Sequence, residues 1–218
     1  MTALTQQIVP LFAAWSSGIS IYLTVVLLGV AGRMGWVELP GALQTLSNPL
    51  IILLAALVYA VEFVADKVPY VDSIWDSFHT FIRPLGAAGL GYMAGSEHGA
   101  MLQTGYAMLA GTIALDTHAV KATARLAINT SPEPFSNIAA SVVEDSAVIG
   151  LFWVLTKHPW IAALIVVLFL CLSFLFLKMM WGFAKKIFRF FSVTKNETPA
   201  GTGAGRSDAM KTQNTGRV

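Results

Sequence analysis

The chain alternates long apolar runs with short polar stretches, and the runs have the length of membrane helices. A helix needs about 20 mainly apolar residues to cross the hydrocarbon core. Six segments approach that length: 11–32, 48–65, 84–98, 102–126, 136–155 and 159–182. The sixth, PWIAALIVVLFLCLSFLFLKMMWG, is unbroken. The third is short and rich in glycine, and Gly86, Ala87, Ala88, Gly89, Gly91 and Gly95 suit close helix packing. It reads as a span, a half-span or a tilted broken helix.

Between the second and third segments the pattern changes. In EFVADKVPYVDSIWDSFHTFIR, residues 62–83, charged and aromatic side chains interleave. Pro69 should end the second helix near Lys67, because the residue before a proline is disfavoured in helical geometry. A new helix over 70–82 then sets Asp72, Asp76, His79 and Arg83 within about 60° of arc. Ile74, Trp75, Phe78, Phe81 and Ile82 fill the opposite arc. Such a helix suits the cytoplasmic interface. Its polar face meets either water and headgroups or a polar entrance in the bundle. It lacks the excess of Lys and Arg expected of a purely lipid-binding helix, which favours the inward reading. Glu62 and Asp66 lie one turn apart with Lys67 adjacent, at the end of an apolar run. Acids at that depth face a partner or a wet cavity, or else the helix has already left the hydrocarbon.

Two further blocks carry polar side chains into apolar surroundings. In LDTHAVKATARLAIN, the side chains of His118, Lys121, Arg125 and Asn129 fall within about 80° of arc. Asp116 lies off that stripe and deeper, the strongest intramembrane acid on sequence grounds. Lys121 and Arg125 could instead snorkel to headgroups, which explains Asp116 and His118 less well. After a turn at Ser131 and Pro132, Asn137, Ser141 and Glu144 share one helical face, with Asp145 at its edge. Acids within a membrane helix demand cations, and His118, Lys121 and Arg125 are the available suppliers. The prediction is one network near the cytoplasmic end of the bundle. Asp66, Asp72, Asp76, Glu144 and Asp145 pair there with Lys67, Arg83, Lys121 and Arg125, and His79 and His118 are its titratable members. With acids and bases taken as equal in number, the network gives no sign of substrate charge.

Composition agrees with the pattern. Of 218 residues, 56% are hydrophobic and 12% charged, and the mean hydropathy is +0.66. Soluble domains carry about 25% charged residues. These values exclude a soluble globular enzyme, a disordered chain and a nucleic-acid binder. The predicted fold is all-α, a polytopic helix bundle of about six membrane segments with the interfacial helix. The membrane domain is 1–192, in halves of about 1–98 and 99–192 that have the form of an inverted repeat. With six spans, twelve of the fourteen Lys and Arg fall on one side, leaving Arg33 and Lys157 on the other. The positive-inside rule then makes that side cytoplasmic, with both termini there and the protein multi-pass in a cell (inner) membrane. No basic region precedes the first apolar run, so a cleaved signal peptide is not expected. The basic aromatic segment 178–192 suits anionic lipids. Residues 193–218 are polar, without apolar period, and expected to be disordered. The glycines of the third segment would also serve a homo-oligomer.

No P-loop, HExxH, CxxC or GxSxG motif is present, and the single cysteine, Cys171, has no ligand spacing. No catalytic residue, metal or cofactor is indicated. The blocks EFVADKVPYVDSIWDSFHTFIRP, HAVKATARLAINTSPEPFSN and SVVED resemble the integral-membrane family catalogued as domain of unknown function 4126, over residues 12–180. That resemblance implies a membrane fold and no reaction. It groups the three polar blocks together. The leading expectation is a small transporter or channel-like protein for an ion or small polar solute. A scaffold or regulator with a closed charge network is the second expectation. A lipid-modifying enzyme binding a headgroup near Arg83 and Arg125 is the third.

Overall fold

A computed structural model describes residues 3–68, 70–129 and 134–196. They form α1 (Ala3–Ile19), α2 (Ile21–Arg33), a 3-10 helix (Gly41–Ser47), α3 (Pro49–Ala65), α4 (Val71–Ala94), α5 (Ala100–Ile128), α6 (Pro134–Lys157) and α7 (Pro159–Asn196). Among the described residues, two helices are long and apolar enough to cross a membrane, Phe135–Lys157 and Pro159–Phe183. The 3-10 helix and α3, bent by 73°, make a third if the pair is one span. Two compact units divide the chain, Met1–Leu177 and Lys178–Val218, and the last part of α7 belongs to the second. The helical start of the predicted tail reaches Asn196, and 197–218 lie outside the described residues. So do Pro69, Ser131 and Pro132.

The first predicted segment is not one helix. Ser20 adopts extended geometry (φ −151°, ψ 109°), and its hydroxyl accepts from Leu23 N to cap α2. An N-cap serine satisfies a backbone donor that a helix start leaves free. The chain folds back there. Near the start of α1, Gln6 Nε2 donates to Glu38 Oε2 (3.1 Å), just beyond the end of α2. The Lys and Arg count predicts the N-terminal end on the side of the polar blocks. The described start of α1 lies instead at the opposite end of the unit, because Ser20 turns a presumed span into a hairpin. The basic count is unaffected, since Arg33 is the first Lys or Arg in the chain.

The interfacial helix and the third segment are also one element. α4 runs through Pro84, which removes a single N–H and leaves the helix continuous. Four α-helices and the 3-10 helix therefore fall in 1–98, and three α-helices in the described part beyond it. The two predicted halves do not correspond element for element. α4 buries Asp72, Asp76, His79, Arg83, Ala87 and Leu90 at helical spacing, and exposes Ile74, Phe78, Phe81 and Leu85. Polar inside and apolar outside is the reverse of a water-soluble helix, and it suits a helix whose outer face meets lipid. Close approach fixes the helix pairs: a Cβ added to Gly91 would lie 2.5 Å from Tyr106 O of α5, and one on Gly18 of α1 would lie 2.5 Å from Ala114 O. The core has two parts. Val9, Phe12, Leu28, Leu43, Val148 and Leu155 form the apolar part. The buried charges gather where α3 and α5 end and α4 and α6 begin.

Candidate functional site

Three cations organise the charged centre. Arg83 is fully buried. Its Nη2 donates to Glu62 Oε1 (2.9 Å) and its Nη1 to Asp76 Oδ1 (2.9 Å). The other Glu62 oxygen accepts from the Ser20 hydroxyl at the α1–α2 break. Lys121 Nζ donates to Asp66 Oδ2 (2.9 Å) and Ile19 O (3.3 Å), and lies 3.4 Å from Glu144 Oε2. Arg125 holds Glu144 by a two-pronged bond, Nε to Oε1 (3.0 Å) and Nη2 to Oε2 (2.7 Å). Its Nη1 reaches Asp66 O (3.0 Å) and Asn137 O and Oδ1 (both 3.2 Å). That planar fork is the geometry in which arginine binds a carboxylate most strongly. Asp72 Oδ1 lies 3.8 Å from Arg125 Nη1. Asn129 Nδ2 donates to Asp72 Oδ2 (3.3 Å), while Asn129 Oδ1 accepts from Asn137 Nδ2 (2.7 Å).

Hydrogen-bond arithmetic fixes the histidines. Arg83 Nη1 lies 2.7 Å from His118 Nδ1, and a guanidinium only donates. His118 Nδ1 therefore accepts, and its proton sits on Nε2, donated to Thr80 Oγ1 at 3.0 Å. The Thr80 hydroxyl in turn donates to Asp76 O (3.0 Å). His79 Nδ1 donates to Trp75 O (2.8 Å), and its Nε2 meets the Tyr22 hydroxyl (3.2 Å). The His79 ring stacks on Trp75 with centroids 4.6 Å apart.

Glu62, Asp66, Asp72, Asp76, His79, Arg83, His118, Lys121, Arg125, Asn129, Asn137 and Glu144 thus meet as one centre. Of the other predicted members, Lys67, Ser141 and Asp145 border it and Asp116 stands apart. Lys67 Nζ donates to Phe63 O (2.8 Å) and Ser141 Oγ (3.2 Å) and lies over the Phe63 ring. Asp145 is hydrogen-bonded to Tyr59. Asp116, off the stripe by its helical arc, accepts from Ser173 of α7. Ser20, Tyr22, Thr80 and Ser173 were not among the predicted residues. For Ser20 the signal was present, as a capping residue inside an apolar run.

The charges do not balance. Glu62, Asp66, Asp72, Asp76 and Glu144 surround Arg83, Lys121 and Arg125, which leaves two acids in excess. Adding the bordering Asp145 and Lys67 leaves that excess unchanged. The expectation of equal acid and base fails: one acid is already in excess without Glu62, and Glu62 adds the second. Asp66 Oδ1, Asp72 Oδ1 and Asp76 Oδ2 are buried without a hydrogen-bond donor. Arg83 and Arg125 are enclosed by their protein partners, which leaves them no opening toward a lipid headgroup. Among the described residues, no three His, Cys, Asp or Glu side chains are set to hold a metal ion.

No curated protein and no solved structure matches the chain. A family model does, over residues 9–179, an interval that contains every residue of the charged centre. The chain belongs to the family described as Domain of unknown function (DUF4126).

Proposed function

We infer that the chain is a small membrane transporter or channel-like protein for a cation, the proton first among them, and that it works through the charged centre. The observation that carries this reading is the acid excess in a buried site. Ionisable groups inside a bundle are costly and mark ion paths and proton relays. A purely structural network gains nothing from surplus buried acid. The oxygens without donors on Asp66, Asp72 and Asp76 can each take a proton without displacing an existing hydrogen bond. In this reading the six apolar segments form the membrane body, the first as the hairpin of α1 and α2. The end holding the charged centre faces the cytoplasm of a cell (inner) membrane, by the Lys and Arg count. Lys178, Lys185 and Lys186, with Trp181 among them, would meet anionic lipid.

Purified protein in liposomes with an internal pH-sensitive dye tests this. Under an imposed membrane potential, wild type should acidify or alkalinise the lumen faster than protein-free liposomes. Asp72→Asn should lower that flux about a hundredfold, the scale of losing one proton-transfer group. Asp116→Asn should leave it unchanged. Flux equal to protein-free liposomes overturns the reading.

One observation favours a second reading, a closed scaffold. Thr117 and Ser141 are each 1% exposed. With Cys171→Ala as background, Thr117→Cys and Ser141→Cys should react with a membrane-impermeant thiol reagent if water reaches the centre. Silence at both, with Ser77→Cys reactive, supports the scaffold.

A further inference from the structure

A cavity of about 770 Å³, lined by residues of the first compact unit, lies between α1, α5, α6 and α7. That volume is in the range of sites for drug-sized molecules. Its walls are almost wholly apolar, with Ile19 and Val120 low on one side and Val154 and Ile165 further along. From Val143 to Val154 the α6 wall extends about 16 Å, at the rise of a helix. The slot therefore suits an extended aliphatic chain.

Its chemistry is not uniform along that length. Trp15, Trp153 and Phe169 contribute aromatic rings, and Trp15 and Phe169 meet edge to face with centroids 5.6 Å apart. At the other end stand Glu144 and Lys121. The Lys121 ammonium is already engaged by Ile19 O, Asp66 and Glu144. The Glu144 side chain is 17% exposed, against 7% or less for the other four acids of the centre. Of the two charged side chains in the lining it is therefore the carboxylate, and not Lys121, that reaches the slot. That carboxylate favours a cationic head, and the acid excess of the centre behind it disfavours an anion.

We propose that this cavity binds an amphipathic organic cation, its aliphatic body along α6 and α7 and its ammonium head at Glu144. The proposal shares the acid excess with the transport reading but does not need transport to occur.

Gly150 provides the variant that tests it. This residue lines the cavity, and a Cβ built there meets nothing within 4 Å. Gly150→Leu should fill the slot and leave the charged centre untouched. The probe is dodecylammonium carrying a diazirine at its chain end, photolysed with the full chain in discs of zwitterionic lipid. Adducts are then mapped by mass spectrometry. Adducts should concentrate on Val154, Ile165 and Phe169. Dodecyltrimethylammonium should compete about tenfold better than dodecyl sulfate, because the carboxylate at the head attracts the one and repels the other. Gly150→Leu should remove these adducts. Adducts spread over the outward Leu164 and Leu168 and unchanged by Gly150→Leu would overturn the proposal. Equal competition by the two detergents would also overturn it, leaving a groove for any acyl chain. The liposome assay separates the two readings. Labelling that meets these criteria without ion flux sinks transport alone, and flux without such labelling sinks the amphiphile site alone.

Discussion

Arg83 shows what burial makes of a single side chain. Glu62 and Asp76 depend on its guanidinium, and both are enclosed with it. Removing one member of a buried ion pair costs about 3–5 kcal/mol, because the partner stays charged and dry. Arg83→Gln should therefore lower unfolding stability by about that amount, read as a fall in thermal midpoint in detergent. A midpoint within a degree of wild type would mean that the two acids carry protons in the folded state. Asp116→Asn should cost under about 1 kcal/mol, since the amide oxygen still accepts from Ser173. The tautomer of His118 is equally definite. Nitrogen-15 spectra should show its proton on Nε2, and a proton on Nδ1 would contradict the bond from Arg83. The acids and bases of this centre were legible from spacing, because charge in an apolar run is rare and its helical arc is simple to calculate. Their hydroxyl partners were not, because serine and threonine occur on every face of a membrane helix. The partner of Asp116 was hidden for a related reason. Depth in the sequence says how costly an acid is, but not which neighbouring helix answers it.

Between elements, the backbone approach of α4 to α5 turns on which glycines face the partner. A Cβ on Gly91 would sit 2.5 Å from Tyr106 O and 2.7 Å from Ala110 Cβ, whereas one on Gly89 would meet nothing within 4 Å. Gly89→Ala should raise stability by up to about 1 kcal/mol, the helix preference of alanine over glycine. Gly91→Ala should lower it, because backbone must move. Paired unfolding measurements decide the matter, and equal effects at the two positions would contradict this packing. Sequence reading marked both glycines alike, since composition shows that a helix packs closely but not on which side. The break at Ser20 escaped for a different reason. The run 11–32 contains no proline, and Ser20, though a capable N-cap, sits in an apolar length that fits one span. The turn is held from outside, by the bond from the Ser20 hydroxyl to Glu62, more than forty residues away in the chain.

At the scale of the whole first unit, that one turn decides which ends lie together. Gln6 meets Glu38, and Ser96 Oγ accepts from Ala42 N (2.9 Å), so the start of α1, the 3-10 helix and the end of α4 share one end. The opposite end holds the starts of α4 and α6 and the charged centre. The apolar lengths were legible because hydrocarbon thickness sets them. The direction of the first one was not, because a hairpin and a span of the same apolar length have the same composition. The two arrangements differ in a measurable way. In a Cys171→Ala background, Gln7→Cys, Glu97→Cys and Ser77→Cys place thiols at three exposed positions. An impermeant thiol reagent applied to intact cells and to inverted vesicles then reports the side of each. If α1 and α2 form the hairpin, Gln7→Cys reacts from the same side as Glu97→Cys, and Ser77→Cys from the other. If 11–32 crossed as one helix, Gln7→Cys would react with Ser77→Cys instead. In that case the bond from Ser20 to Glu62 could not hold as described, and one Glu62 oxygen would lose its donor inside the charged centre.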